Sequence, residues 1–204
     1  VERAKQGHID LYFVGDSITR RWAAATGYPD LLANWNENFS GWNAADFGWG
    51  GDTTQNILWR LNNRELDGVH PKVVVLQGGT NNIPAGVTAG EITRGLQAIT
   101  NTIREKAPEA TIVVTGIFPR ADIPNALATV REVNESLAKL ADGQKIRFLN
   151  VNSKMLDRDG KLYPGVMNPD NLHPALKGYE IWAAGLKPIL TELLGAPAKE
   201  SATR

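Results

Sequence analysis

The feature that most restricts this chain is an alternation. Short apolar runs of strand length, each closed by small polar residues or glycine, are followed by stretches whose apolar residues recur at helical spacing. The runs fall at 9–14, 44–47, 73–77, 111–118 and 145–151; the second is weak, the third is the clearest, and the fourth is continuously apolar, as a strand buried on both faces should be. Between them, 20–38 reads as a helical segment broken by a turn at Gly27, and 55–62 as a helix. Residues 88–106 read as an amphipathic helix capped by Thr88 and Glu91, with Ile92, Leu96, Ile99 and Ile103 on one stripe; 124–141 and 175–194 are further helices. Strands separated by helices throughout predict an α/β fold, a three-layer α/β/α sandwich around a central five-stranded parallel sheet. No repeat or linker divides the chain, so one domain is expected over residues 1–195, with 196–204 as a flexible tail.

The C-terminal ends of parallel strands share an edge, and in open α/β sheets that edge binds ligands. Three polar clusters belong there: Gly15-Asp16-Ser17, Gly50-Gly51-Asp52 and Gly79-Thr80-Asn81. A fourth, Asp170-Asn171-Leu172-His173, joins them if the loop after the fifth strand folds back. Ser17 is the candidate nucleophile, because it follows a strand and a glycine and begins a helix; the same position also suits an ordinary helix cap. His8 and His70 precede strands and belong at the opposite edge, which leaves His173 as the candidate base. Asp170, three residues earlier, supplies a carboxylate to orient it, the logic of a serine triad. Candidate oxyanion donors are the Ser17 N–H, the Gly51 N–H and the Asn81 side-chain amide. Gly51 also suits a tight turn, and Asn81 a cap or Asx-turn.

Composition removes several classes of function. Lys plus Arg (22) balances Asp plus Glu (22), so no broad field draws the chain to nucleic acid or an anionic membrane. Without cysteine there is no disulfide, thiol catalysis or thiolate site, and no metal or cofactor is expected. No apolar run reaches the length of a membrane span. The start at Val1 reads as a mature or trimmed form; composition leaves the compartment and the oligomeric state open, with a secreted or periplasmic location favoured. A G-x-S-x-G elbow is absent because Thr19 stands two residues after Ser17, and there is no P-loop, complete G-x-G-x-x-G or H-E-x-x-H. Among the six tryptophans, Trp59 and Trp182 are expected in the core and Trp49, beside Gly51, near substrate. Asp16 and Trp42 are further candidates for substrate contact.

The ordered blocks Gly15-Asp16-Ser17-Ile18, Gly50-Gly51-Asp52-Thr53, Gly79-Thr80-Asn81-Asn82 and Asp170-x-x-His173 closely resemble the SGNH, or GDSL, hydrolase superfamily over residues 12–182. Residues 47–54 and Leu58-Trp59-Arg60-Leu61 are most similar to the catalytic subunits of platelet-activating-factor acetylhydrolase and their bacterial relatives. The resemblance implies a flavodoxin-like strand order and assigns Ser17 as nucleophile, His173 as base and acid, Asp170 as its orienter, and Ser17 N–H, Gly51 N–H and Asn81 as the oxyanion hole. One departure is the segment between Ser17 and Gly51, with Tyr28, Trp35, Phe39 and Trp42, which looks longer than in those subunits and is a candidate rim. The expected activity is a cofactor-free serine esterase removing a small acyl group, acetyl above all, from an acetylated sugar. A lipid or aryl ester is the alternative, and a non-catalytic carbohydrate-binding module on the same fold is the third reading.

Overall fold

The computed structural model describes residues 9–198. Strands β1 (Leu11–Gly15), β2 (Ala44–Gly48), β3 (Val73–Gln77), β4 (Thr111–Thr115) and β5 (Ile146–Leu149) form one sheet, parallel at every pair, in the order β2-β1-β3-β4-β5. Helices α1 (Ser17–Trp22), α2 (Pro29–Phe39) and α6 (Leu176–Leu194) cover one face; α3 (Thr54–Arg60), α4 (Ala89–Lys106) and α5 (Ala126–Ala138) cover the other. This is the expected three-layer sandwich in flavodoxin-like order, with β1 and β3 adjacent where the order reverses.

Successive side chains of a strand point to opposite faces, and β1 divides accordingly. Tyr12 and Val14 pack with Ile57, Ile92, Ile99 and Val130, while Leu11 and Phe13 pack with Trp22, Trp35, Phe39 and Trp182. The second face is an aromatic layer: the Phe13 ring centre lies 4.7 Å from that of Trp35, and Trp22 stacks on Trp182 at 4.5 Å. Most of the candidate rim segment is therefore core, since Trp35, Phe39 and Trp42 are all buried. Trp42 was expected near substrate; instead its indole N–H donates to Gly195 O at 2.9 Å, and Ala198 N donates to Gly41 O at 2.8 Å. The second bond involves Ala198, within the stretch 196–204 expected to be a flexible tail; residues 199–204, and His8, lie outside the described residues.

Two further expectations change. Trp59 is not core but 65% exposed, because α3 buries Thr54 and Ile57, Leu61 just after it is buried too, and the helical period turns residue 59 outward. The fourth strand stops at Thr115 rather than 118. There the buried Asn134 of α5 takes over from the ladder, accepting from Ile117 N at 2.7 Å and donating to Ile117 O at 2.9 Å.

Candidate active site

The parallel register sets Gly15 level with Gly48 on one side and Gln77 on the other, so three loops leave the sheet at one height. A Cβ at Gly15 would lie 2.2 Å from Thr19 Oγ1 and 2.4 Å from Gln77 O, so only glycine lets the chain turn directly from β1 into α1. Asp16 follows, and its Oδ1 accepts from Ile18 N at 2.8 Å. Asp16, not Ser17, is the cap of α1, which leaves the Ser17 hydroxyl to bond elsewhere. Asp16 was expected to touch substrate, but it is fully buried beneath the turn. Burial, opposed by the Ile18 N–H and reinforced by the charge of Asp52, pushes its carboxyl up to about 7.

The return loop does fold back over this edge. Ala121 N donates to Asn171 O at 2.9 Å and Asn168 N to His173 O at 2.8 Å, which holds the Asp170–His173 turn. Within it, Asp170 Oδ1 accepts from Leu172 N at 3.0 Å and His173 N at 2.9 Å, while Oδ2 lies 2.7 Å from His173 Nδ1. With Nδ1–H donating to that carboxylate, Nε2 is the acceptor, and it lies 3.0 Å from Ser17 Oγ. Residues 156 positions apart thus form one hydrogen-bonded line.

The electrostatics suit a base that is neutral near pH 7. Burial lowers the affinity of His173 for a proton; the Asp170 hydrogen bond raises it and the Arg21 guanidinium lowers it, leaving the ring below its ordinary value. Burial would raise the Asp170 carboxyl, but the His173 and Leu172 N–H groups and the imidazole together hold it below the usual range. Arg21 stands 3.9 Å from Asp170 Oδ2, with its guanidinium 5.2 Å from the Tyr28 ring centre. These two residues line a cavity of about 450 Å³ that adjoins Asp170.

The oxyanion candidates converge through the glycine loop. Trp49 N donates to Gly15 O at 3.0 Å, which docks the loop beside the Ser17 turn, and Asn81 Nδ2 donates to Asp52 O at 2.9 Å, which places Asn81 next to Gly51. Gly51 has φ of +80°, a conformation that L side chains rarely adopt. Among the described residues, neither the Ser17 nor the Gly51 N–H donates to a protein acceptor. Trp49 lies in this loop, 60% exposed, with the Arg20 guanidinium 5.3 Å from its ring centre.

Two arginines that sequence reasoning did not single out brace these loops. Arg60, quoted only as part of a likeness, donates through Nη2 to Gly15 O at 3.1 Å, through Nη1 to Phe47 O at 3.1 Å and through Nε to Asp52 Oδ2 at 2.7 Å, and it also pairs with Glu65. One guanidinium therefore ties the Ser17 turn to the glycine loop. Arg120, buried, donates to Thr80 O at 2.7 Å and to both Asp122 oxygens, and so anchors the turn that carries Asn81. An arginine between apolar neighbours, as in Leu58-Trp59-Arg60-Leu61, was the available signal; its partners were not.

The sequence profile of the GDSL-like lipase/acylhydrolase family matches residues 13–181. The chain belongs to this family. Platelet-activating factor acetylhydrolase IB subunit alpha1 of Homo sapiens is 37% identical over 99% of this chain and 87% of that protein, and subunit alpha2 of Rattus norvegicus is 36% identical over 98% and 83%. A GDSL-like lipase from Bacteroides thetaiotaomicron superposes with a TM-score of 0.76 over 94% of each chain at 20% identity, a likeness of fold. This GDSL-family chain is accordingly an esterase of the acylhydrolase type. Among its described residues no group of three or more His, Asp or Glu side chains is placed to hold a metal ion, and no helix is long and apolar enough to cross a membrane.

Proposed function

We propose that this GDSL acylhydrolase removes a short acyl group, acetyl above all, from an O-acetylated sugar through an acyl-enzyme on Ser17. The observation that carries the mechanism is the line from Asp170 Oδ2 through the His173 ring to Ser17 Oγ, at 2.7 and 3.0 Å. Ser17 Oγ attacks the ester carbonyl carbon while its proton passes to His173 Nε2. The negative charge that develops on the carbonyl oxygen is met by the Ser17 and Gly51 N–H groups and the Asn81 amide. Collapse breaks the bond to the alcohol, which leaves with the proton from Nε2. Water, deprotonated by the same nitrogen, then attacks the acyl-enzyme, and the proton returns to Ser17.

The sugar reading draws support from the balanced net charge and from an exposed Trp49 two residues before Gly51. A second reading, a lipid acetyl ester, is favoured by the relatives named as platelet-activating factor acetylhydrolases. Acetate release from 4-nitrophenyl acetate, acetylated xylan, acetylated mannan and an acetyl ether phospholipid tests both. Turnover of acetylated saccharides at rates that exceed those on the phospholipid is expected, and the reverse order would transfer the assignment to lipid. No turnover on any ester would remove the esterase reading for this chain.

A further inference from the structure

Four of the six tryptophans, Trp22, Trp35, Trp42 and Trp182, are buried in the aromatic layer. The two that are not, Trp49 at 60% and Trp59 at 65% exposure, line the same groove, a concavity of about 580 Å³. Indoles left in water are a cost that a fold avoids unless they meet something, and two on one concave surface mark a binding site rather than scatter. Trp49 is held under Arg20, and Trp59 projects from α3, whose first turn is locked by the reciprocal cap of Thr53 and Asn56.

The groove is mostly apolar but carries placed polar groups. Asn56 and Asn63 also line it, and both amides are oriented by local bonds. Asn56 Oδ1 accepts from Thr53 N at 3.0 Å, which leaves its Nδ2 as a donor; Asn63 Nδ2 donates to Trp59 O at 2.8 Å, which leaves its Oδ1 as an acceptor. Below them Arg60 and Asp52 are paired to each other at 2.7 Å. An alkyl chain would dehydrate these amides and give nothing back, whereas a pyranose offers flat C–H faces to the indoles and hydroxyls to the amides. The groove adjoins the glycine loop, because Trp49 and Asp52, on either side of Gly50 and Gly51, both line it, and Asp52 O is the acceptor for Asn81.

We infer that the Trp49–Trp59 groove is a subsite for a second sugar ring, so that the substrate is an acetylated oligo- or polysaccharide whose acetylated unit sits at Ser17 while a neighbouring pyranose stacks on the indoles and bonds Asn56 and Asn63. The inference rests on the sugar-esterase function proposed above and makes it specific: chain length beyond one ring contributes to binding.

The test uses the full chain and two probes. Ser17→Ala protein is titrated with xylohexaose and with mannohexaose while tryptophan fluorescence is followed, and active protein is assayed on 4-nitrophenyl acetate and on acetylated forms of the same hexaoses. Saturable binding of a hexaose by Ser17→Ala is expected, weakened roughly tenfold by adding Trp59→Ala, the scale of one lost aromatic contact. In the active background the ratio of kcat/KM on the acetylated hexaose to that on 4-nitrophenyl acetate should fall by a similar factor in Trp59→Ala, through KM. Turnover of 4-nitrophenyl acetate with no hexaose binding would overturn the subsite and leave the esterase intact. No turnover of 4-nitrophenyl acetate would overturn the esterase and the subsite with it. If Trp59→Ala instead raises KM only on an acetyl ether phospholipid, or converts a sedimenting dimer to monomer without touching the hexaose ratio, the occupant is a lipid chain or a second copy, and the inference is wrong.

Discussion

Replacing Asp170 by asparagine isolates the part of the site that sets the histidine tautomer. The amide oxygen of the new side chain can keep both turn bonds, from Leu172 N and His173 N, so the loop has no reason to move. What changes is the atom 2.7 Å from Nδ1: an acceptor becomes an NH₂ donor. His173 answers by presenting an unprotonated Nδ1, which puts the ring proton on Nε2, the nitrogen that in the proposed mechanism takes the proton of Ser17. The imidazolium that forms in the transition state also loses its counter-charge. In the serine-protease template this exchange lowers kcat by about 10⁴, and at about 1.36 kcal/mol per decade that is about 5.5 kcal/mol of barrier. Stability should change little, because Asp170 is 44% exposed and water screens its charge; a loss under about 1 kcal/mol is expected. The assay is the steady-state rate on 4-nitrophenyl acetate with thermal unfolding measured alongside. A variant that melts with wild type and keeps a rate within about tenfold of it would refute the tautomer argument.

Four further outcomes follow from the same geometry. The pH profile of kcat/KM should fall on the acid side with a midpoint below 6.5, because burial first, then Arg21, disfavours the imidazolium against the pull of Asp170; Arg21→Gln should move that limb upward, and a wild-type midpoint above 6.5 would contradict the balance. Asn81→Ala should lower kcat by about 10²–10³ with KM less affected, and a rate within a few-fold of wild type would remove Asn81 from the oxyanion hole. Arg60→Met, which frees the nucleophile turn from the glycine loop, should cost roughly 10² in kcat on 4-nitrophenyl acetate, the scale of a displacement near 1 Å; an unchanged kcat in a folded variant would show the brace to be idle. Burial lifts the Asp46 carboxyl to about 7, so the folded state holds that proton more tightly than the unfolded chain, and the associated stability is lost as pH rises through about 7. Asp46→Asn should therefore gain Tm relative to wild type on going from pH 5.5 to 8.5, and a constant difference would contradict the shift.

The strands were legible because their apolar runs are local signals, the second only weakly, whereas the sheet order came from the resemblance to the SGNH hydrolases. Residues 73–77 were bounded correctly by an apolar run between Pro71 and a glycine pair, and the cap of α4 by Thr88 and Glu91. That Ser17, Asp170 and His173 meet was legible for another reason: parallel strands bring their ends to one edge, and the loop after the fifth strand had only to fold back over it. What failed was direction. Leu58 and Trp59 are adjacent in the sequence and only the helical phase, set by Ile57 and Leu61, decides which faces water. Asp16 and Ser17 both suit a helix cap, and a shift of one residue decides which hydroxyl or carboxylate is left over. Trp42 packs where the end of α6 meets Gly41, a contact 153 residues long that no local pattern encodes. The reach of Arg60 to Gly15, 45 residues away, was hidden for the same reason.

The proposed mechanism requires Ser17 to become acylated with the help of His173, and covalent capture tests that directly. Protein treated with a fluorophosphonate and digested should carry the adduct on the peptide containing Ser17, at a rate that collapses in His173→Ala, with no adduct on Ser17→Ala. An adduct on another residue, or full esterase activity in Ser17→Ala, would contradict it.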